Sequence, residues 1–304
     1  MQKFSNLPTR QGMALSALTS NGIPLPNTAR YVGPMTPSPL ASLYDGGATR
    51  QFARHGYVYL RGLLLRGLLL RAAVLAMRER YFSQFPLAFI KDGDCRRGAF
   101  SGTEPPGLPA HGTRGHPAYE FVRQSEFAEF AEHPQLRYAA ESVLGGPVER
   151  LRRTPIRHFV PGRPASSRAH IDGTYVEAGA PDIVTLWVPL GDCPLQSGGL
   201  VYLEDSHQDE GIAERTRAIA PSDRPDDRRP MTHDLHWIAK HTARRWLVSD
   251  YAAGDVVIHS PLIVHASLDC HTEEMRLSTD VRYLRQGAKQ DLRWRGDWSA
   301  DDTY

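Results

Sequence analysis

The sequence predicts an α+β domain, with helices in its N-terminal half packed on a β core in its C-terminal half. Three observations carry this. Residues 47–56, 68–85 and 118–146 read as helices. Beyond Val148 the chain becomes a series of short β-type runs with Gly/Pro turns, near 149–160, 168–176, 183–190, 199–203, 255–259, 262–267 and 276–284. Only the polar segment 208–250 interrupts them. Many short strands without helices between them argue for a sandwich, barrel or jelly roll.

Bulk composition narrows the class. A chain of 304 residues that is 41% hydrophobic can bury one large core. Its 36 basic and 34 acidic residues leave a net charge of +2, so no basic field argues for nucleic acid. The three cysteines, Cys95, Cys193 and Cys270, are odd in number and far apart, which suggests neither a disulfide framework nor a zinc cluster. Residues 1–20 lack a basic start followed by an apolar run, so no signal peptide is expected. The most apolar stretch, 60–77, is interrupted by Arg61, Arg66 and Arg71, which suits an amphipathic core helix and not a membrane span. The expectation is a cytoplasmic protein without a membrane partner.

In chain order, residues 1–45 are rich in Pro, Ser, Thr and Gly and read as an extended or disordered arm. His55-Gly56 ends the first helix, and 57–60 is a short strand. The near-repeat from Arg61 to Arg71 looks like a local duplication within a strand-to-helix turn. Residues 92–117, dense in Gly and Pro, are either a disordered loop or a functional cover. Gly145-Gly146 stops the third helical region. The insertion 208–250 is a second candidate cover, with a helical or irregular stretch at 233–246. One domain thus spans 46–285, with its β core at about 149–285, followed by a polar, aromatic tail at 286–304.

The chemistry centres on His170-Ile171-Asp172. In an extended chain positions i and i+2 share a face, so the imidazole and the carboxylate would point together. The triplet alone is weak, because His207-Gln208-Asp209 repeats it. His207, however, sits just past a strand at the start of a polar loop, whereas His170 lies inside a β run. A further ligand is expected on a later strand, where His259 and His265 are candidates. Arg276 follows His265 by eleven residues, a hairpin's length, and no acidic residue is obviously placed to pair with it if it is buried. A bound carboxylate is then a candidate partner, the alternative being a surface pair with Glu273, Glu274 or Asp280. Two histidines and a carboxylate make the facial triad of non-haem Fe(II) oxygenases, with zinc as the competing metal.

Over roughly residues 50–285 the chain resembles the phytanoyl-CoA dioxygenase-like branch of the Fe(II)/2-oxoglutarate oxygenases. The resemblance is carried by His170 to Tyr175, Asp182 to Leu190, Ser197 to His207, and Gly254 through Ser267 to Arg276. Asp205 stands where the family usually has glycine, and His207 falls where the family has a structural histidine. The resemblance implies a double-stranded β-helix (jelly-roll) core flanked by N-terminal helices. It implies that His170, Asp172 and His265 hold Fe(II), with no catalytic residue beyond these ligands. Arg276 and Ser267 would bind the distal carboxylate of the co-substrate 2-oxoglutarate, and Thr185 and Trp187 would line its pocket. His158, on the preceding strand, is a further pocket candidate or an ordinary edge histidine. The implied reaction consumes dioxygen and 2-oxoglutarate and oxidises a C–H bond of a small-molecule substrate. Asp172 is present where halogenases on this scaffold carry a small residue, so hydroxylation, desaturation, epoxidation or ring formation is expected instead. A natural-product or amino-acid tailoring role suits the chain, and a catalytically silent member or a zinc hydrolase is the rival reading. Arg152, Arg153, Arg163 and Arg168 either attract an acidic or carrier-linked substrate or form a solvated face.

Overall fold

The computed structural model describes residues 18–25, 28–65, 71–109, 111, 113–176, 180–224, 226, 227 and 229–298. Part of the near-repeat after Arg61, residues 1–17 of the N-terminal arm, and the last six residues of the tail lie outside them.

The helices form where expected, with ends set by local chemistry. Helix α1, Gly47–His55, stops at Gly56, whose φ of 73° places it in the left-handed region open to glycine. Helix α2, Arg71–Phe82, buries Val74, Met77, Arg78, Tyr81 and Phe82, the i, i+3, i+4 stripe of a core helix. The region 118–146 is not one helix but three: α3 (Pro117–Phe121), α4 (Ser125–Ala131) and α5 (Pro134–Leu144). Pro134 accounts for the last break, because the residue before a proline avoids helical backbone, and His133 there caps α5 through Gln135 N. Two further helices, α6 (Ile212–Ile219) and α7 (Leu235–Thr242), lie in the insertion.

Two sheets carry the C-terminal half. The strands are β1 (Thr19–Ser20), β2 (Ile23–Pro24), β3 (Val32–Pro34), β4 (Tyr57–Leu60), β5 (Val148–Leu151), β6 (Ile156–Phe159), β7 (Ile183–Pro189), β8 (Leu200–Leu203), β9 (Trp246–Val248), β10 (Val256–His259), β11 (His265–Ser267) and β12 (Arg276–Arg285). The major sheet runs β4-β10-β7-β12-β5, with β6 also paired to β12. The minor sheet runs β11-β8-β9-β3. Apart from β3 beside β9, the pairs in both sheets are antiparallel, as in a jelly roll.

The structure redraws two of the expected β runs and shows where the arm, the insertion and the Gly/Pro loop attach. The run 149–160 is two strands separated at Thr154-Pro155, where the Pro155 carbonyl accepts from Asp280 N. The stretch 168–176 is extended only to Ile171; Asp172–Tyr175 is a short 3-10 turn. The arm supplies an edge strand at 32–34, so this part of it belongs to the fold. In the insertion, α6 and α7 pack on the outer face of the minor sheet, where Ile212, Leu235 and Ile238 meet Val201, Leu203 and Trp246. Around 98–100, the Gly/Pro loop is tied by Met275 N to Gly98 O and Phe100 N to Glu273 O.

Strand alternation sorts the residues into layers. In the major sheet Val184, Leu186, Val188, Val256, Ile258, Leu277 and Val281 face α1, α2 and α5. Trp187 and Val257, one residue out of phase, face Leu200, Tyr202 and Leu247 of the minor sheet. The polar site residues occupy that second phase, between the sheets.

Candidate metal centre

Each site residue is placed by register. His259 of β10, Thr185 of β7 and Arg282 of β12 are direct cross-strand neighbours and form one row across the major sheet. The minor sheet brings His265 and Ser267 on β11, with Tyr202 of β8 opposite His265. His170 joins β11 through reciprocal backbone hydrogen bonds with His265. The turn beginning at Asp172 then carries its carboxylate inward, and the close approach of Gly173 to Pro261 O (3.2 Å from an ideal Cβ) suits a residue without a side chain.

His170, Asp172 and His265 bring three ligand atoms within 4.8 Å of one another. Both histidines direct Nδ1 at backbone carbonyls, His170 at Arg168 O (2.7 Å) and His265 at Ile263 O (3.1 Å). With Nδ1–H donating there, each Nε2 lone pair is free to bind a metal. The Nε2 atoms lie 3.8 and 3.6 Å from the same oxygen, Asp172 Oδ1. The other oxygen, Oδ2, accepts from Thr185 Oγ1 (2.6 Å) and Arg282 Nη2 (3.2 Å), with His259 Nε2 at 3.4 Å. Burial alone would raise the Asp172 pKa, but Arg282, His259 and His265 outweigh it and hold the carboxyl well below its usual range. Burial lowers His170 and pushes His265 well down, the latter reinforced by its histidine neighbours. The donor set is therefore two neutral imidazoles and one carboxylate, the protonation state a divalent metal requires. It fits Fe(II), bound by three protein ligands with the remaining positions open.

Beside this triad the cavity is lined by Trp187, Ser267, Arg276, Ser278 and Asp280, among others. Arg276 is 3% exposed, and among the described residues no carboxylate forms an ion pair with it. Its Nε donates to Gly198 O at 3.1 Å, Nη1 bonds Ser278 Oγ, Nη2 lies 3.4 Å from Ser267 Oγ, and Cζ sits 3.6 Å from the Phe159 ring centre. Gly198, with φ of 87°, brings that carbonyl close; a Cβ there would stand 2.8 Å from Leu268 O. Burial lowers the Arg276 pKa to about 10, so it stays cationic at neutral pH. Trp187 Nε1 donates to Ser278 Oγ at 2.9 Å, which orients the hydroxyl beside the guanidinium.

Two expected pocket residues do something else. Thr185 spends its hydroxyl on Asp172 and so holds a ligand in place. His158 faces away from the cavity, because Arg276 pairs with Phe159 and Leu277 with His158 across β6 and β12. It bonds Tyr81 OH at 2.8 Å and packs among Phe82, Phe85 and Phe89 on the helical side. His207 is a fold residue, 3.2 Å from Ala53 O and packed against Gly56. Asp205 before it has φ of 54°, the conformation that glycine adopts most freely. Sequence reasoning missed Arg282 and Tyr202; an i+6 spacing from Arg276 was the one available sign of Arg282, since even separations share a strand face. Arg152, Arg163 and Arg168 pair with Asp297, Glu104 and Asp223, but Arg153 is buried, so the four do not form one solvated face.

Among the described residues no helix is long and apolar enough to cross a membrane. Sequence comparison with curated proteins finds no match. Similar solved structures include the epimerase SnoN in complex with Fe3+, α-ketoglutarate and nogalamycin RO (21% identity, 82% of this chain and 86% of that one, TM-score 0.55). They include the non-haem α-ketoglutarate-dependent carbocyclase SnoK from nogalamycin biosynthesis (20%, 85% and 89%, TM-score 0.54). EctD from S. alaskensis with 2-oxoglutarate and 5-hydroxyectoine is also similar (15%, 88% and 84%, TM-score 0.54). At these identities the likeness shows the fold, a double-stranded β-helix. The phytanoyl-CoA dioxygenase family model matches residues 96–278, which include the triad and Arg276, so the chain belongs to that family and is an Fe(II)/2-oxoglutarate-dependent oxygenase.

Proposed function

We propose that this oxygenase hydroxylates a C–H bond of a polar small-molecule natural product. The observation that carries the reading is the pairing of the triad with a buried guanidinium that has no carboxylate partner among the described residues. Arg276, with Ser267 and Ser278 beside it, has the charge and donors to take the distal carboxylate of 2-oxoglutarate, while His170, Asp172 and His265 hold the metal. Bound there, iron and 2-oxoglutarate supply the oxidising chemistry, with dioxygen consumed and succinate and CO2 released. The chain's own part is to orient both partners and exclude water from a cavity between two packed sheets. Arg157 and Asp280 also line this cavity, which favours a substrate with polar groups near the oxidised carbon. SnoN and SnoK, an epimerase and a carbocyclase of nogalamycin biosynthesis, support a natural-product substrate. The intact Asp172 ligand supports oxidation over halogenation.

The test is anaerobic loading with Fe(II), then addition of 2-oxoglutarate, oxygen and a natural-product panel, with succinate and product masses measured. A product heavier by one oxygen atom is expected. Loss of two hydrogens identifies desaturation or ring closure instead, and an unchanged mass with succinate release identifies epimerisation or uncoupled turnover. If the iron-loaded protein released no succinate with or without substrate, the oxygenase reading would be wrong.

A further inference from the structure

The Asp172 carboxylate meets a third histidine that binds no metal in the reading above, and that histidine has its own partner. His259 is 1% exposed; its Nδ1 lies 3.0 Å from Tyr202 OH, and its Nε2 lies 3.4 Å from Asp172 Oδ2. Tyr202 is fully buried on β8 in the minor sheet, so the contact bridges the two sheets. For a neutral imidazole two proton arrangements are open to this pair. If Nδ1 carried the proton and gave it to Tyr202, a bare Nε2 lone pair would face the carboxylate, and two acceptors would repel. If Tyr202 donates to Nδ1, Nε2 carries the proton and points an N–H at Oδ2. Only the second arrangement is attractive at both ends.

We propose that Tyr202 and His259 form a positioning relay that makes Asp172 a one-oxygen ligand. The Tyr202 hydroxyl selects the His259 tautomer and so turns an Nε2 proton toward Asp172 Oδ2, 3.4 Å away and without another partner, while Thr185 and Arg282 donate to that oxygen. With two donors on that oxygen and the His259 N–H facing it, Oδ1 is left for the metal. A carboxylate binding through both oxygens would consume a coordination position that the co-substrate and oxygen need. The relay deepens the metal-centre reading and rests on it.

Co(II) is the probe, with its dissociation constant read by calorimetry and its geometry by visible absorption. Tyr202→Phe keeps the ring and removes the proton donor; it is expected to weaken Co(II) binding about tenfold and to change the absorption band, with the melting temperature near the parent's. His259→Gln, whose amide donates without help, is expected to bind more tightly than His259→Leu. Adding Tyr202→Phe to the His259→Gln protein should then cost nothing further, because Tyr202 acts only through the imidazole. Parent affinity and spectrum in Tyr202→Phe would overturn the relay, as would an equal Tyr202→Phe penalty in the His259→Gln background. A parent protein that bound no Co(II) would overturn the metal centre and the relay with it, whereas tight parent binding keeps the metal centre whatever the variants show.

Discussion

Two histidine trios sit on opposite faces of the same major sheet, and they have opposite fates. On the inner face His170, His259 and His265 gather with ring centres 4.2 and 4.6 Å apart. On the outer face His111, His116 and His158 gather at 4.9 to 6.0 Å. The inner trio surrounds a carboxylate and has arginines near it. The outer trio is packed with Phe85, Phe89 and Trp298. Among the described residues only the inner group forms a three-ligand constellation. Histidine clustering is therefore not what makes a metal site here. The carboxylate is: Asp172 supplies the negative charge that a divalent cation needs, and Oδ1 is the point on which two Nε2 atoms converge. Without an acid the same residue type serves as a flat, partly polar ring in an aromatic core.

The comparison breaks most directly at the ligands. Replacing His265 or Asp172 by Ala should lower metal affinity by at least a hundredfold and abolish succinate formation, whereas His158→Phe should leave both near the parent's. Calorimetry with Co(II) and succinate detection check the pair; an inert H158F alongside a dead H265A is the expected contrast. Next in size is Arg276→Gln, which removes the charge but not the metal ligands. The apparent KM for 2-oxoglutarate should rise at least about tenfold, the loss of a charged hydrogen-bond pair, while metal affinity is kept. A parent-like KM would remove Arg276 from co-substrate binding. Smaller again is Thr185→Val, which withdraws one donor from Asp172 Oδ2 and should weaken metal binding about tenfold without moving the co-substrate KM in the metal-saturated protein.

The outer trio predicts a pH effect of its own. His116 is 2% exposed, and burial lowers its pKa to about 4. The unfolded chain binds the proton more readily, so stability from this residue is complete above about pH 6.5 and is lost as pH falls toward 4. Between pH 7 and pH 5 the loss should be about 2 kcal/mol. His116→Asn, which can still accept from Ala118 N as a helix cap, should flatten that part of the stability profile in urea melts at the two pH values. An unchanged profile would mean that His116 does not titrate with folding.

His170 and Asp172 were legible as a candidate pair from their place in a β run, while the choice of His265 over His259 came from the family resemblance. His170 and Asp172 remain two residues apart and converge even though the backbone turns at Asp172 and does not run on as a strand. Arg276 stood out by its distance to His265 and its lack of an obvious acidic partner, and its burial against Gly198, Ser267 and Ser278 came only with the structure. The row His259-Thr185-Arg282 was not legible, because it depends on which residue of β10 pairs with which of β7 and β12, and a shift of one would turn all three away from Asp172. The same register sends His158 outward, a fact that no local pattern around Ile156–Phe159 contains. The breaks in the third helical region were partly visible in Pro134, but the fate of the insertion was not. Its apolar residues at 212, 235 and 238 are few and scattered, and only the outer face of the minor sheet shows what they cover.

By itself the sequence determined the class of the fold and offered the candidate residues of the site, because alternation, spacing and residue chemistry are local properties. Tertiary structure alone decided which oxygen of Asp172 faces the two Nε2 atoms, which donors occupy the other, and which histidine trio receives the carboxylate. Those are outcomes of register and of two sheets closing on each other, and contacts between residues far apart in the chain exist only once the sheets have packed.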